Sequence, residues 1–275
     1  MLAAVVVAAL VSGVTGAAAT HAANAKRTSG WIEALAMDGS RAADYLYTAS
    51  LPRPKERMLA SAVRRGNVDG ILQGTSLGGL VGSDVLLAVN SWSTDSKNAV
   101  SGASLRVIGR SGLTTVATGQ AATLARSADL GRVVLRPDGT VGIYAASGAL
   151  LRAVSPASAK EVALHKDYLV VLTKARTLEI YNANIGAFIR KWPARAGAEN
   201  LDVYSGIAVY SLGRQVRALR LATGTDVVLT TAKRAIEDVE IEAPGVVYAF
   251  NTVKGTKDIG NVAFVPLSRV IAAVS

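Results

Sequence analysis

The densest group of chemically useful side chains lies near the C-terminal end of the chain and is acidic. Its members are Glu237, Asp238, Glu240 and Glu242. Alternate side chains of a β-strand share a face, so the last three would point the same way. Carboxylates crowded on one face of an apolar strand must be paired, hydrated or bound to a cation. The pattern therefore predicts a binding site.

Asp202 holds the corresponding place in the preceding apolar segment and extends this candidate site. We predict that Glu240, Glu242 and Asp202 bind rather than catalyse. Three arrangements remain open. The acids pair with arginines such as Arg217 or Arg220, they contact a ligand or partner at the mouth of a channel, or they hold calcium. No other cofactor is predicted.

Residues 74–78, Gly-Thr-Ser-Leu-Gly, match the G-x-S-x-G pattern of serine hydrolases. A nucleophile elbow needs a sharp turn and a following helix, whereas another glycine and an apolar strand follow here. His165 would have to be the base, because His21 lies in an apolar N-terminal segment. We interpret the motif as a strand or a linker between repeats.

The chain contains no cysteine, which excludes disulfides, thiolate metal ligands and cysteine nucleophiles. A zinc site would have to rely on His165 and carboxylates. No glycine-rich loop stands between a strand and a helix, so nucleotide binding is not predicted. These residues favour a binding protein over an enzyme.

An apolar run over residues 2–14 is followed by small residues up to Ala25. This is typical of a secretory signal, and Ala23-Asn24-Ala25 fits an A-x-A cleavage site. We predict a signal peptide over 1–25 and export to the cell envelope or the exterior. An uncleaved anchor is the alternative. No later stretch is long and apolar enough to cross a bilayer.

The net charge of +10 comes from 30 basic and 20 acidic residues spread along the chain. The densest basic run, within residues 53–65, has no interleaved aromatic side chains. Nucleic-acid binding is therefore not predicted. A basic surface would attract anionic envelope polymers, which makes them, with an unknown protein, the expected partners.

Short apolar strands recur roughly every 38 residues, a spacing typical of propeller blades. They begin at Val133, Leu169, Ile207 and Val246. In the clearest repeat we predict strands at 161–165, 168–173, 177–181 and 187–192. Strands that are apolar at most positions are buried on both faces, as in radially stacked sheets.

The repeats predict an all-β fold: one propeller over residues 30–275 with about six four-stranded blades. The predicted blades are 30–68, 69–119, 120–155, 156–193, 194–232 and 233–275. Seven blades are the alternative, if the insertion at 91–101 hides strands. Outside the signal, no segment shows helical periodicity over ten or more residues, and 57–65 is the one short helix candidate.

Turn residues recur at equivalent places in the repeats. Residues 136–140, Arg-Pro-Asp-Gly-Thr, predict a tight hairpin turn, because proline sets φ and glycine accepts positive φ. Ser147-Gly148, Ile185-Gly186 and Thr223-Gly224 each separate the predicted third and fourth strands of a repeat.

Residues 181–192, YNANIGAFIRKW, resemble the repeat of pyrroloquinoline-quinone-type propellers and their YVTN-type and WD-repeat-like relatives. Residues 219–224 and 143–151 carry further copies. The resemblance implies a propeller blade. It does not imply a quinone site, because the quinone dehydrogenases it points to are longer and use vicinal cysteines and calcium ligands. Composition resembles exported propellers of high-GC bacteria.

We conclude that the sequence favours an exported, monomeric, non-catalytic β-propeller that acts as a binding scaffold. The alternative is an extracytoplasmic hydrolase or lyase with its acidic residues at the channel mouth. An enzyme should bring Glu240, Glu242 and Asp202 into one pocket. A scaffold should show an apolar or charged patch on its rim.

Overall fold

The computed structural model describes strand segments between residues 26 and 135, residue 136, and residues 138–145, 147 and 149–275. Side chains are described from Val133 onward, Val134 and Asp258 excepted. The predicted signal peptide, 1–25, lies outside the described residues. Within the described part of the chain, no helix has the length and hydropathy that a membrane span requires.

The described strands form six antiparallel sheets. β1 (Lys26–Ser29) comes first in the chain but belongs to the sixth sheet. The first sheet contains β2 (Leu35–Asp38), β3 (Arg41–Asp44), β4 (Tyr47–Ser50) and β5 (Arg57–Met58). The second contains β6 (Asn67–Val68), β7 (Ile71–Val81), β8 (Asp84–Ser93), β9 (Val100–Gly109) and β10 (Gly112–Thr118).

The next two sheets each have four strands in chain order. The third contains β11 (Leu124–Ala128), β12 (Gly131–Leu135), β13 (Val141–Tyr144) and β14 (Leu150–Val154). The fourth contains β15 (Ala159–His165), β16 (Tyr168–Thr173), β17 (Thr177–Asn182) and β18 (Phe188–Pro193).

The last two sheets complete the described fold. The fifth contains β19 (Ala198–Tyr204), β20 (Ile207–Leu212), β21 (Gln215–Arg220) and β22 (Asp226–Thr231). The sixth contains β23 (Ile236–Glu242), β24 (Gly245–Lys254) and β25 (Lys257–Pro266), and β1 pairs with β25 as its fourth strand. One helix, α1 (Leu267–Val274), follows.

The sheets follow one another around a closed circuit. Strands β2, β7, β11, β15, β19 and β23 each contact the next in this order, and β23 contacts β2. Each sheet therefore presents one strand to the centre and stacks between two neighbours.

Apolar side chains fill the spaces between neighbouring sheets from the third sheet to the sixth. One core cluster joins the third sheet to the fourth, a second joins the fourth to the fifth, and a third joins the fifth to the sixth. Burial on both faces explains why β16 and β20 are apolar at most positions.

The predicted turn at 136–140 forms through backbone and side-chain hydrogen bonds. The Arg136 N–H donates to the Thr140 carbonyl at 2.9 Å, and Asp138 Oδ1 accepts from the Thr140 N–H at 2.9 Å. Gly139 takes φ +84°, as the turn requires. The Thr140 hydrogen bonds hold the pKa of the exposed Asp138 carboxyl below its usual value.

Two elements differ from the regular pattern of four-stranded sheets. The second sheet has five described strands instead of four. The chain also contains a helix, α1, whose Val270 and Val274 are buried one helical turn apart. Its buried apolar residues recur at the spacing of one helical turn. The segment is too short for that period to be distinguished from the pattern of a strand.

Candidate functional site

Acidic side chains on the central strands join one sheet to the next. Glu161 Oε2 on β15 accepts a hydrogen bond from the Leu201 N–H of β19 at 2.8 Å. Asp202 Oδ2 on β19 accepts one from the Ile241 N–H of β23 at 2.7 Å. Lys160 adds a bond from Nζ to the Ala198 carbonyl at 3.0 Å. These groups act as cross-links between sheets.

Glu240 and Glu242 lie on β23, the central strand of the sixth sheet. Val239 and Ile241 belong to the core cluster that faces the fifth sheet. Strand alternation therefore turns Glu240 and Glu242 the other way, toward the first sheet. Asp202 reaches β23 from the fifth sheet instead. All three predicted site residues thus lie on central strands. Asp202 lies between the fifth and sixth sheets, whereas Glu240 and Glu242 face the first sheet.

Two of the acids on β23 are buried, whereas Glu242 is partly exposed. Glu240 and Asp238 are buried, and Asp238 Oδ1 accepts from the Val239 N–H at 2.8 Å. Glu242 Oε2 accepts from the Ala243 N–H at 3.3 Å. Among the residues whose side chains are described, no group of three or more acidic or histidine side chains is placed to hold a metal ion.

Arg217, one of the arginines considered as a partner for these acids, pairs with Asp226 on the neighbouring strand. Its Nε donates to Asp226 Oδ1 at 3.0 Å and its Nη2 to Asp226 Oδ2 at 3.1 Å, so the pair is bidentate. Nε also lies 3.3 Å from the Tyr210 hydroxyl. Burial, with Asp226 close by, raises the pKa of Tyr210 to about 12. Asp226 was not predicted as the partner of Arg217, because contacts between residues on different strands can be identified only once the strand register is known.

The G-x-S-x-G motif lies within a strand, and its candidate base, His165, is buried. Residues 74–78 lie inside β7, with strand on both sides and no following helix. His165 is buried at the fourth sheet, where Nδ1 accepts from the Ser205 N–H at 3.1 Å and the ring packs 4.4 Å from that of Tyr204. It joins the fourth sheet to the fifth.

A cleft of about 250 Å³ opens between the third and fourth sheets. Buried apolar side chains, Ile143, Leu164 and Ala183, form its floor. Two cations, Arg152 and Lys166, also line it. This cleft could not be predicted from the sequence, because its lining comes from four separate segments of the chain.

Apolar side chains project beside this cleft and form what we call the rim patch. Its members are Leu150, Leu151, Ile185, Phe188 and Ile189. Ile185 is 67% exposed and Phe188 53%, which is unusual for large apolar groups in one area. Leu151 belongs to both the patch and the cleft lining, so the two are continuous.

The rim patch lies on the outermost strands, β14 and β18. Both are exposed along most of their length. Their pairing skips Leu151 and Ile189, which marks a bulge in each strand. By contrast, α1 packs on β22, where Leu229 and Thr230 are buried. The fifth sheet therefore has a cover that the third and fourth sheets lack among the described elements.

The stretch 181–192 has a structural role at this rim. Asn182 Oδ1 accepts from the Asn184 N–H at 2.9 Å, a side-chain bond that stabilises the turn after β17. Trp192 Nε1 donates to the Leu221 carbonyl at 2.9 Å. Its ring lies so close to Gly224 that a Cβ there would be 2.7 Å from it. Trp192 therefore packs between sheets.

Comparison with known proteins supports the fold. No protein-family model and no curated protein match the chain. Among solved structures, the WD40 β-propeller domain of Doa1 is similar with a TM-score of 0.51 and 10% identity, over 86% of this chain and 94% of that one.

Two further structures are more distantly similar. The computationally designed Ika8 protein has a TM-score of 0.49 and 13% identity, over 87% of this chain and 98% of its own. HIRA(644-1017) has a TM-score of 0.43 and 13% identity, over 58% of this chain, which spans 53% of that one. The likeness to the Doa1 domain, together with the antiparallel sheets, shows that this chain has a WD40-like β-propeller fold.

Proposed function

We propose that the protein is a non-catalytic interaction scaffold that binds a partner at the rim patch. The observation that carries this proposal is the exposure of five large apolar side chains around one cleft. Contiguous exposed apolar groups on a soluble domain mark binding surfaces more often than chance. The WD40-like fold supplies a rigid frame for such a surface.

We further propose that the six described sheets are the blades of one six-bladed ring, and that the chain acts as a monomer. The circuit of central strands from β2 to β23 and back supports six blades over the seven-bladed alternative. The pyrroloquinoline-quinone-like type of blade remains part of this proposal. So do export through the segment 1–25 and a site outside the cytoplasm.

The alternative is a hydrolase or lyase that uses the central acids. Asp202 and Glu161 accept backbone hydrogen bonds from the neighbouring sheet, and this supports a role in joining sheets. The scaffold is therefore the stronger proposal.

The test compares two double variants in a pull-down from cell-envelope extract. Phe188→Ser with Ile189→Ser removes apolar groups from the rim patch. Val253→Ser with Ile271→Ser removes exposed apolar groups elsewhere and is the matched control. Circular dichroism and thermal unfolding establish that both variants are folded.

We expect wild type and control to retain the same partner and the rim variant to lose it. The partner is then purified, and calorimetric titration should show at least about a tenfold loss of affinity for the rim variant, as expected for central apolar contacts. Equal affinity of the two variants, or no partner enriched over empty resin, would count against the proposal.

A further inference from the structure

We propose that the cleft beside the rim patch receives an acidic peptide segment whose flanking residues are apolar. This inference rests on the proposed scaffold function and names its class of partner. The cleft supplies the charge and the rim patch supplies the apolar surface. Both belong to the same joint between the third and fourth sheets.

Two cations of the cleft remain available for a ligand. Neither Arg152 nor Lys166 forms an ion pair with a described carboxylate. Arg152 uses Nε on the Asn184 carbonyl at 3.0 Å and Nη1 on the Leu151 carbonyl at 2.6 Å. These bonds fix the guanidinium while leaving Nη2 for an anion. Arginine held in this way suits a carboxylate.

One carboxylate, Asp167, also lies beside the cleft. Asp167 Oδ1 accepts from the cleft residue Asn184 through Nδ2 at 2.6 Å, which fixes the carboxylate but leaves its charge. Lys166 stands in a tight turn at φ +48°, which fixes where its side chain leaves the backbone. The cleft therefore presents two positive groups against one carboxylate, above an apolar floor. Its complement is a negative group next to an apolar one.

The size of the cleft favours side chains over a whole cofactor. A volume of about 250 Å³ is below the range of sites that enclose drug-sized ligands. It can hold one or two side chains of a longer segment, while neighbouring residues lie on Phe188 and Ile185. Lys191 adds a further basic side chain on β18, the outermost strand of the fourth sheet. These charges favour an acidic partner and disfavour a basic one.

A membrane surface fits these features less well than a peptide. Ile143, Leu164 and Ala183 are buried at the bottom of the cleft. A flat bilayer would contact the projecting rim but not the recessed floor. A peptide side chain can reach the floor, so the peptide is the occupant we propose.

The test selects a random dodecapeptide display library on the immobilised full chain. Counter-selection uses Arg152→Glu with Lys166→Glu. The matched control, Lys233→Glu with Lys254→Glu, makes the same change in net charge at exposed positions in the loop before β23 and at the end of β24. Enriched peptides are then labelled and titrated by fluorescence anisotropy. Vesicles of phosphatidylglycerol form a parallel arm.

We expect enriched peptides to carry Asp or Glu beside apolar residues. The cleft variant should lose at least about tenfold in affinity for them, whereas the control should change less than about twofold. Equal losses in both variants would show unspecific attraction by net charge and overturn the inference. So would a pool without acidic residues, or binding to vesicles with no peptide selected.

The two proposals fail in different ways. If the partner captured through Phe188 and Ile189 binds the cleft variant as tightly as wild type, the acidic-peptide inference is wrong and the scaffold stands. If the rim variant also binds that partner normally, both proposals fail.

Discussion

The Arg217 side chain shows how the fifth sheet accommodates a buried charge. A guanidinium taken out of water is costly unless its donors are satisfied and a carboxylate lies beside it. Asp226 meets both needs through two hydrogen bonds, and Gln215 Oε1 accepts from Nη1 at 3.0 Å. Although burial disfavours the charged form, these partners keep the pKa of Arg217 above its usual value.

Removal of Asp226 should therefore leave an uncompensated charge inside the protein. We expect Asp226→Ala to lower the free energy of unfolding by about 3 kcal/mol, measured by denaturant titration. Arg195 provides the control, because it also pairs with Asp226 at 3.0 Å but is mostly exposed. Arg195→Ala should cost less than about 1 kcal/mol. Similar losses for both variants would show that Arg217 does not depend on this pair.

At the scale of elements, the central acids explain how neighbouring sheets keep their register. Glu161 and Asp202 each accept an N–H from the central strand of the next sheet. Counted back from the hairpin turn, Glu240 has the place of Asp202, and Asp238 that of Glu161. β23 contacts β2 of the first sheet, so these equivalent acids lie at the joint that closes the circuit.

The Asp202 cross-link can be tested with a local probe. Asp202→Ala should lower the free energy of unfolding by about 2 kcal/mol, because a charge-assisted hydrogen bond is lost. Amide hydrogen exchange should accelerate most at Ile241, whose N–H loses its acceptor. Glu199→Ala removes a carboxylate that is 61% exposed on the same strand and serves as the control. Unchanged exchange at Ile241 would exclude the cross-link.

Local patterns predicted the strands well where a hairpin is closed by its own turn. The strands predicted at 168–173 and 187–192 correspond to β16 and to β18, Phe188–Pro193. The carboxylates were predicted as one site because alternation reports which face a side chain takes. It does not report which neighbour stands opposite. The identity of the opposite neighbour depends on contacts between sheets, which no short stretch of sequence encodes. The cleft at Arg152 was not predicted for the same reason.

At the scale of the whole molecule, the sixth sheet joins the two ends of the described chain. β1 pairs with β25 from Lys26 opposite Val262 to Ser29 opposite Ile259. The first predicted repeat begins at residue 30, so residues 26–29 were not predicted to belong to any sheet. A strand of four residues that pairs with a partner far along the chain leaves no periodic signal.

Loss of β1 should weaken the entire molecule and expose an edge. We expect a chain that begins at Gly30 to unfold about 10 °C below one that begins at Lys26, in thermal scans followed by circular dichroism. It should also aggregate faster by light scattering, because β25 would present unsatisfied backbone groups. Identical behaviour of the two chains would mean that β1 contributes nothing to closure.

The pairing of β1 with β25 also sets an order of events during synthesis. β1 leaves the ribosome before the other described strands, and β25 leaves after them. Hairpins such as β16–β17 can form as soon as they emerge, but the sixth sheet cannot be completed until β25 has been made. A chain that stops before β25 keeps β1 without its strand partner. Pairing of β1 with β25 thus distinguishes chains that include β25 from chains that stop before it.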